Sequence, residues 1–117
     1  MVGLTMYSND EIMQFIDLVV EMTNPDRIIL FGSYAYGEPG EKSDLDLLVI
    51  KNGKDFTIDE ETKLDTALFR KRREHSIGAR YDIFFRTERQ LQDSVAHGGA
   101  FVDALQKGYV VYERANQ

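Results

Sequence analysis

The sequence predicts an α/β (α+β) chain: a small mixed β-sheet of three to four strands flanked by helices. Three observations carry this. Apolar runs of strand length recur at RIILF, LDLLVI, YDIFF and YVVY, too short to be helices and bounded by turn residues. Stretches with helical spacing separate them, two of them opened by capping boxes. The 117 residues suffice for one domain and are too few for two.

Composition narrows the class. With 43% hydrophobic and 29% charged residues the chain reads as a soluble globular domain rather than a disordered one. The absence of cysteine rules out a disulfide framework or a thiolate zinc site and fits a reducing cytoplasm. A net charge of −6 makes a general nucleic-acid binder a poor reading, because phosphate affinity comes mainly from Lys and Arg. No apolar run reaches the roughly eighteen residues of a membrane span. The opening MVGLTMYSNDE lacks a basic region followed by a long apolar core, so no secretory leader is expected.

The elements follow in order. Ser8 and Glu11 form a capping box ahead of Ile12, Phe15, Ile16, Val19 and Val20, which predicts an amphipathic helix over 9–22 that stops at Asn24-Pro25. Residues 27–31 read as a buried strand ended by Gly32-Ser33. A short helix over 34–36 would aim its N-terminal N–H groups outward, where the dipole favours phosphate. On the structural side, Gly32 meets the needs of a tight turn with positive φ, and Ser33 those of its N-cap. A polar turn over 38–42 leads to the second strand. A charged helix over 59–75 ends in Arg70, Lys71, Arg72 and Arg73, read as a solvated end that complements the helix dipole. Residues 81–85 form the third strand. Thr87 and Gln90 box the next helix, His97-Gly-Gly breaks it, and a helix over 100–107 precedes Gly108 and a fourth strand.

The candidate site lies in FGSYAYGEPGEKSDLDLLVI. Side chains alternate along a strand, so Asp44 and Asp46 share a face while Leu45, Leu47 and Val49 take the other. Two carboxylates on one face repel unless a cation neutralises them, and hard oxygen donors suit magnesium better than zinc. The Gly-Ser turn offers small residues and free N–H groups to a phosphate. Asp82 is a lone acid in an apolar strand, which is costly unless it is paired or bound to metal. His75 and His97 have no metal-ligand spacing and read as surface residues.

An apolar strand, Gly-Ser, ten residues, Asp-x-Asp and a second apolar strand together resemble the signature of the DNA polymerase beta-like nucleotidyltransferase superfamily, and within it the minimal nucleotidyltransferases of bacteria and archaea. The resemblance covers most of the chain, from about Pro25 onward. It implies a single minimal nucleotidyltransferase domain over residues 1–117 with the polymerase beta-like fold. It implies two Mg2+ ions, with Mn2+ as a substitute, held by Asp44, Asp46 and Asp82 as catalytic acids, and a triphosphate, ATP by preference, on Gly32 and Ser33. The reaction it implies is transfer of AMP to a hydroxyl. Relatives are often the antitoxin half of a pair with a helical HEPN-type toxin, whose tyrosine hydroxyl would be the acceptor. Where the family's motif continues with arginine, this chain has Tyr36, which bears on nucleotide affinity more than on chemistry. Two alternatives stand beside this reading. One is a non-catalytic antitoxin or assembly module that neutralises its partner by contact. The other is an antibiotic-modifying nucleotidyltransferase whose acceptor pocket a homo-oligomer completes.

Overall fold

The computed structural model describes residues 7–40 and 43–115. In chain order they form α1 (Asn9–Thr23), β1 (Arg27–Phe31), α2 (Ser33–Tyr36), β2 (Leu45–Ile50), α3 (Ile58–Glu74), β3 (Tyr81–Arg86), α4 (Glu88–Ala96), α5 (Val102–Lys107) and β4 (Tyr109–Glu113). The strands make one sheet in the order β3-β2-β1-β4. β1 runs antiparallel to β2 and to β4, whereas β2 and β3 are parallel. A parallel pair needs a long crossover, and α3 supplies it. The sheet is mixed for that reason.

Strand alternation sorts the apolar residues into two layers. Ile28, Leu30, Leu45, Leu47, Val49, Ile83 and Phe85 cluster with Phe15, Ile16, Val19 and Leu68 from α1 and α3. Ile29, Leu48 and Ile50 face the opposite way, onto Leu91, Phe101 and Ala104. β2 is covered on both faces, which is why its sequence is a continuous apolar run after Asp46.

Local signals set the helix boundaries. Ser8/Glu11, Thr57/Glu60 and Thr87/Gln90 are reciprocal capping boxes that satisfy orphan N–H groups at the starts of α1, α3 and α4. α5 begins at Val102, later than the expected 100. Gly98 has φ 66°, and the Gly99 N–H donates to the Ser94 carbonyl at 2.7 Å, which prolongs the turn. Phe101 then packs its ring 5.4 Å from that of Phe84 and 6.2 Å from that of Phe31. Gly108 does end α5, but with extended backbone (φ −70°, ψ 167°) rather than a left-handed cap. A Cβ there would lie 2.5 Å from the Ala104 carbonyl oxygen and 2.6 Å from Ile29 Cγ2. Glycine is needed for the close seat of α5 on β1.

The basic end of α3 departs in part from the solvated reading. Arg70, Lys71 and Arg73 are exposed. Arg72 is half-buried, donates to the carbonyls of Ile77 and Ala79, and lies over the rings of Phe69 and Tyr81. It ties the loop after α3 to the start of β3.

Candidate active site

The three acids meet at one end of the sheet because of register. Asp46 is the Cα partner of Phe31 on β1 and of Asp82 on β3. Asp46 and Asp82 therefore stand side by side on neighbouring parallel strands, on the face shared with Phe31 and Phe84. β2 opens at Leu45, so Asp44 lies just before the strand rather than in it.

Asp46 is half-buried. Burial first, then the charges of Asp82 and Asp44, push its carboxyl from the ordinary 3.8 up to about 6. Asp82 is exposed, which corrects the expectation of a costly buried acid: β3 is an edge strand, and its acid end is open to solvent. Asp44 is partly exposed and pairs with Arg80, whose Nε lies 3.2 Å from its Oδ1.

Gly32 is the N-cap of α2, with φ 74° and ψ −153°, a conformation essentially reserved to glycine. A Cβ built on it would lie 2.0 Å from Asp46 Oδ2. The close approach expected at Gly32 is thus taken up, in this chain, by a carboxylate of the acid cluster. Ser33 is the first residue of α2 rather than its cap. The N–H groups of Ala35 and Tyr36 both donate to the Gly32 carbonyl at 3.0 Å, closing the turn. The N–H groups of Ser33 and Tyr34, in the first turn of this helix, have no partner within it. Tyr36 is exposed, and the Lys107 ammonium stands 6.0 Å from its ring centroid.

The structure brings Gly32, Asp44, Asp46 and Asp82 to one place, with Ser33 joined to it through the turn. Among the described residues, no three His, Asp or Glu side chains are already gathered as a metal-ligand set. One of the three carboxylates, Asp44, is paired with a cation of the chain itself. The donors still suit a hard divalent cation: all are oxygens, and burial together with the neighbouring acids raises the central carboxyl to about 6, a penalty that a bound cation would relieve. Arg80 is the residue that sequence reasoning missed. It lies two positions before Asp82, and the period of a strand would have placed it on the same face.

A Gly-Ser turn packed against paired acids on a mixed sheet defines a nucleotidyltransferase-like class of site. The chain belongs to the nucleotidyltransferase domain family, whose model matches residues 12–98. No curated sequence matches it. Among solved structures it is similar to a Sulfolobus solfataricus protein assigned as a nucleotidyltransferase, with TM-score 0.61 and 15% identity over 90% of this chain and 79% of that one. It is also similar to a chain of an MntA–HpeT toxin–antitoxin structure in mutant form (TM-score 0.53, 14% identity, 87% of this chain and 72% of that one). A third match is a toxin–antitoxin structure with AMP-PNP (TM-score 0.53, 15% identity, 92% and 75%). At these identities the likeness is one of fold, the polymerase beta-like nucleotidyltransferase architecture. No helix among the described residues is long and apolar enough to cross a membrane.

Proposed function

We propose that this chain transfers a nucleoside monophosphate, AMP from ATP, to a hydroxyl on a partner protein, and that it is the antitoxin half of a HEPN/MNT-type toxin–antitoxin pair. One observation carries the reading. Asp46 is wedged between the Gly32 turn and Asp82 with its carboxyl raised to about 6, an arrangement that is unfavourable unless a cation is drawn in. The similarity in fold to a toxin–antitoxin chain and to a structure with AMP-PNP supports the choice of partner and nucleotide.

In this reading Asp44, Asp46 and Asp82 hold two magnesium ions, with Mn2+ as a substitute, once Asp44 turns from Arg80. Bound magnesium would supply charge neutralisation on the triphosphate and a lowered pKa for the acceptor hydroxyl. Ser33 and the first N–H groups of α2 hold terminal phosphate oxygens. Asp82, the most exposed of the acids, is placed to receive the hydroxyl proton. The acceptor oxygen bonds to the α-phosphorus as the bond to the α,β-bridging oxygen breaks, and pyrophosphate leaves with that electron pair.

The test pairs the purified chain with the helical protein encoded beside it, magnesium and ATP. Intact-mass measurement should show one or more added AMP groups on the partner. Asp44→Asn combined with Asp46→Asn should abolish the added mass while the two proteins stay associated. The Asp44–Arg80 pair favours a second reading, an antitoxin acting by contact alone. Equal neutralisation by the double variant, with no added mass in either case, would establish that reading instead.

A further inference from the structure

The edge of the sheet beside Asp82 is open in a selective way. Among the described residues, β3 has a strand neighbour on one side only. Leu45 N–H bonds the Arg80 carbonyl and Lys51 N–H the Arg86 carbonyl, so the even-numbered residues of β3 turn their backbone groups toward β2. By alternation, Tyr81, Ile83 and Phe85 turn theirs outward. At Phe85 the edge is closed by side chains: Glu61 Oε2 accepts its N–H at 2.7 Å, and Arg86 donates to its carbonyl at 2.7 Å. Tyr81 and Ile83 instead line a cavity of about 420 Å³ shared with Asp82 and with Asp65, Phe69 and Arg72 of α3. Phe69 is a large apolar side chain left 47% exposed there.

We propose that this groove is the acceptor site, and that it takes an extended polypeptide segment which adds as a strand to β3 at Tyr81 and Ile83 and presents a side-chain hydroxyl to Asp82. The proposal rests on the transferase reading above and names the acceptor class of that same site. Unpaired strand N–H and C=O groups recognise an extended backbone, which a small sugar or a nucleic acid cannot supply in register. A guest strand lies about 4.8 Å from β3. Its residue beside Asp82 shares the face of Asp82 and brings its hydroxyl to the acids. The residues before and after that one turn to the other face, toward Phe69 and the guanidinium of Arg72 above it. The groove thus selects a hydroxyl residue flanked by apolar neighbours in an extended segment. The Glu61–Arg86 pair ends the pairing after Ile83 and fixes where along the guest the hydroxyl falls.

The experiment uses the full chain, magnesium, ATP labelled at the α-phosphate and three decapeptide mixtures with tyrosine, serine or threonine fixed at the fifth position and the rest randomised. A second set carries N-methyl groups on the backbone amides of the fixed residue and both its neighbours, which cannot add to a strand edge in either register. At least one unmodified mixture should be labelled, with a loss of about tenfold or more on N-methylation. The sequence enriched in the labelled pool, made as one peptide, should slow hydrogen exchange at the Tyr81 and Ile83 amides. Phe69→Ser should weaken its labelling severalfold. Equal labelling of plain and N-methylated mixtures would overturn strand addition. AMP transfer to the helical partner protein with no peptide labelled would overturn the inference and leave the transferase reading standing. Neither partner nor peptide labelled would remove both.

Discussion

Asp46 makes the chain's stability depend on pH in an unusual direction. The folded chain holds the Asp46 proton up to about pH 6, against 3.8 for an unperturbed carboxyl. Between those values the folded state binds more protons than the unfolded one, so stability falls as pH rises through the window. Asp46→Asn removes the penalty. In chelator, it should melt no lower than the parent at pH 7 and lose less stability than the parent between pH 4 and 6. A large drop in melting temperature at pH 7 would mean that the carboxylate has a structural partner. Gly32→Ala should act in the opposite sense. The new Cβ meets Asp46 Oδ2 at 2.0 Å in a backbone conformation that alanine resists. Strain of this kind costs about 1–3 kcal/mol, and chemical denaturation should register it together with loss of triphosphate binding by calorimetry. At this scale the sequence was informative about Gly32, Asp44, Asp46 and Asp82, because turn chemistry and a period of two residues place them. It was silent on what Asp44 touches. The Arg80 pair joins residues that lie just before two different strands, and no local pattern encodes which partner a half-exposed carboxylate takes.

At the scale of elements, the Ser8 and Thr87 caps and the strands were legible because each is written in a few adjacent residues, whereas the Thr57–Glu60 box, written the same way, was missed and α3 begins at Ile58 rather than 59. Thr57 shows how a boundary is held. Its hydroxyl accepts the Glu60 N–H at 3.1 Å, while Glu60 Oε1 accepts the Thr57 N–H at 3.0 Å. Thr57→Ala should cost about 1 kcal/mol, within the range of 0.5–2 for a lost cap, in urea unfolding. α3 also carries the Glu61–Arg86 pair and the Arg72 contacts, so its fraying would reach both ends of β3. The late start of α5 was not legible. A helical pattern over 100–107 competes with a glycine-led turn, and packing of Phe101 against Phe31 and Phe84 decides between them. The order β3-β2-β1-β4 was equally beyond local pattern, since it follows from which faces α1, α3 and the α4–α5 segment cover.

For the molecule as a whole, ligands and stability should be coupled. A cation–triphosphate pair that binds only the folded chain stabilises it by about 2.7 kcal/mol at one hundred times its Kd. Magnesium and ATP together should therefore raise the melting temperature of the parent chain by several degrees. The shift should be largely lost in Asp44→Asn, Asp46→Asn and Asp82→Asn. Retention of the full shift in Asp82→Asn would remove that residue from the site. The crossover that sets Asp82 beside Asp46 is the same one that adds β3 to the sheet. The acids come together only once β2 and β3 have paired across α3.

The contact between Gly32 and Asp46 has a consequence for descent. A side chain at position 32 and a carboxylate at position 46 cannot occupy the same space, so neither site is free to drift while the other is held. A lineage that keeps the chemistry should keep both residues. One that has abandoned it for neutralisation by contact should lose them as a pair, with larger residues entering at 32 only where 46 has already shortened. Comparing the two positions across related chains would therefore separate working transferases from retired ones without an assay.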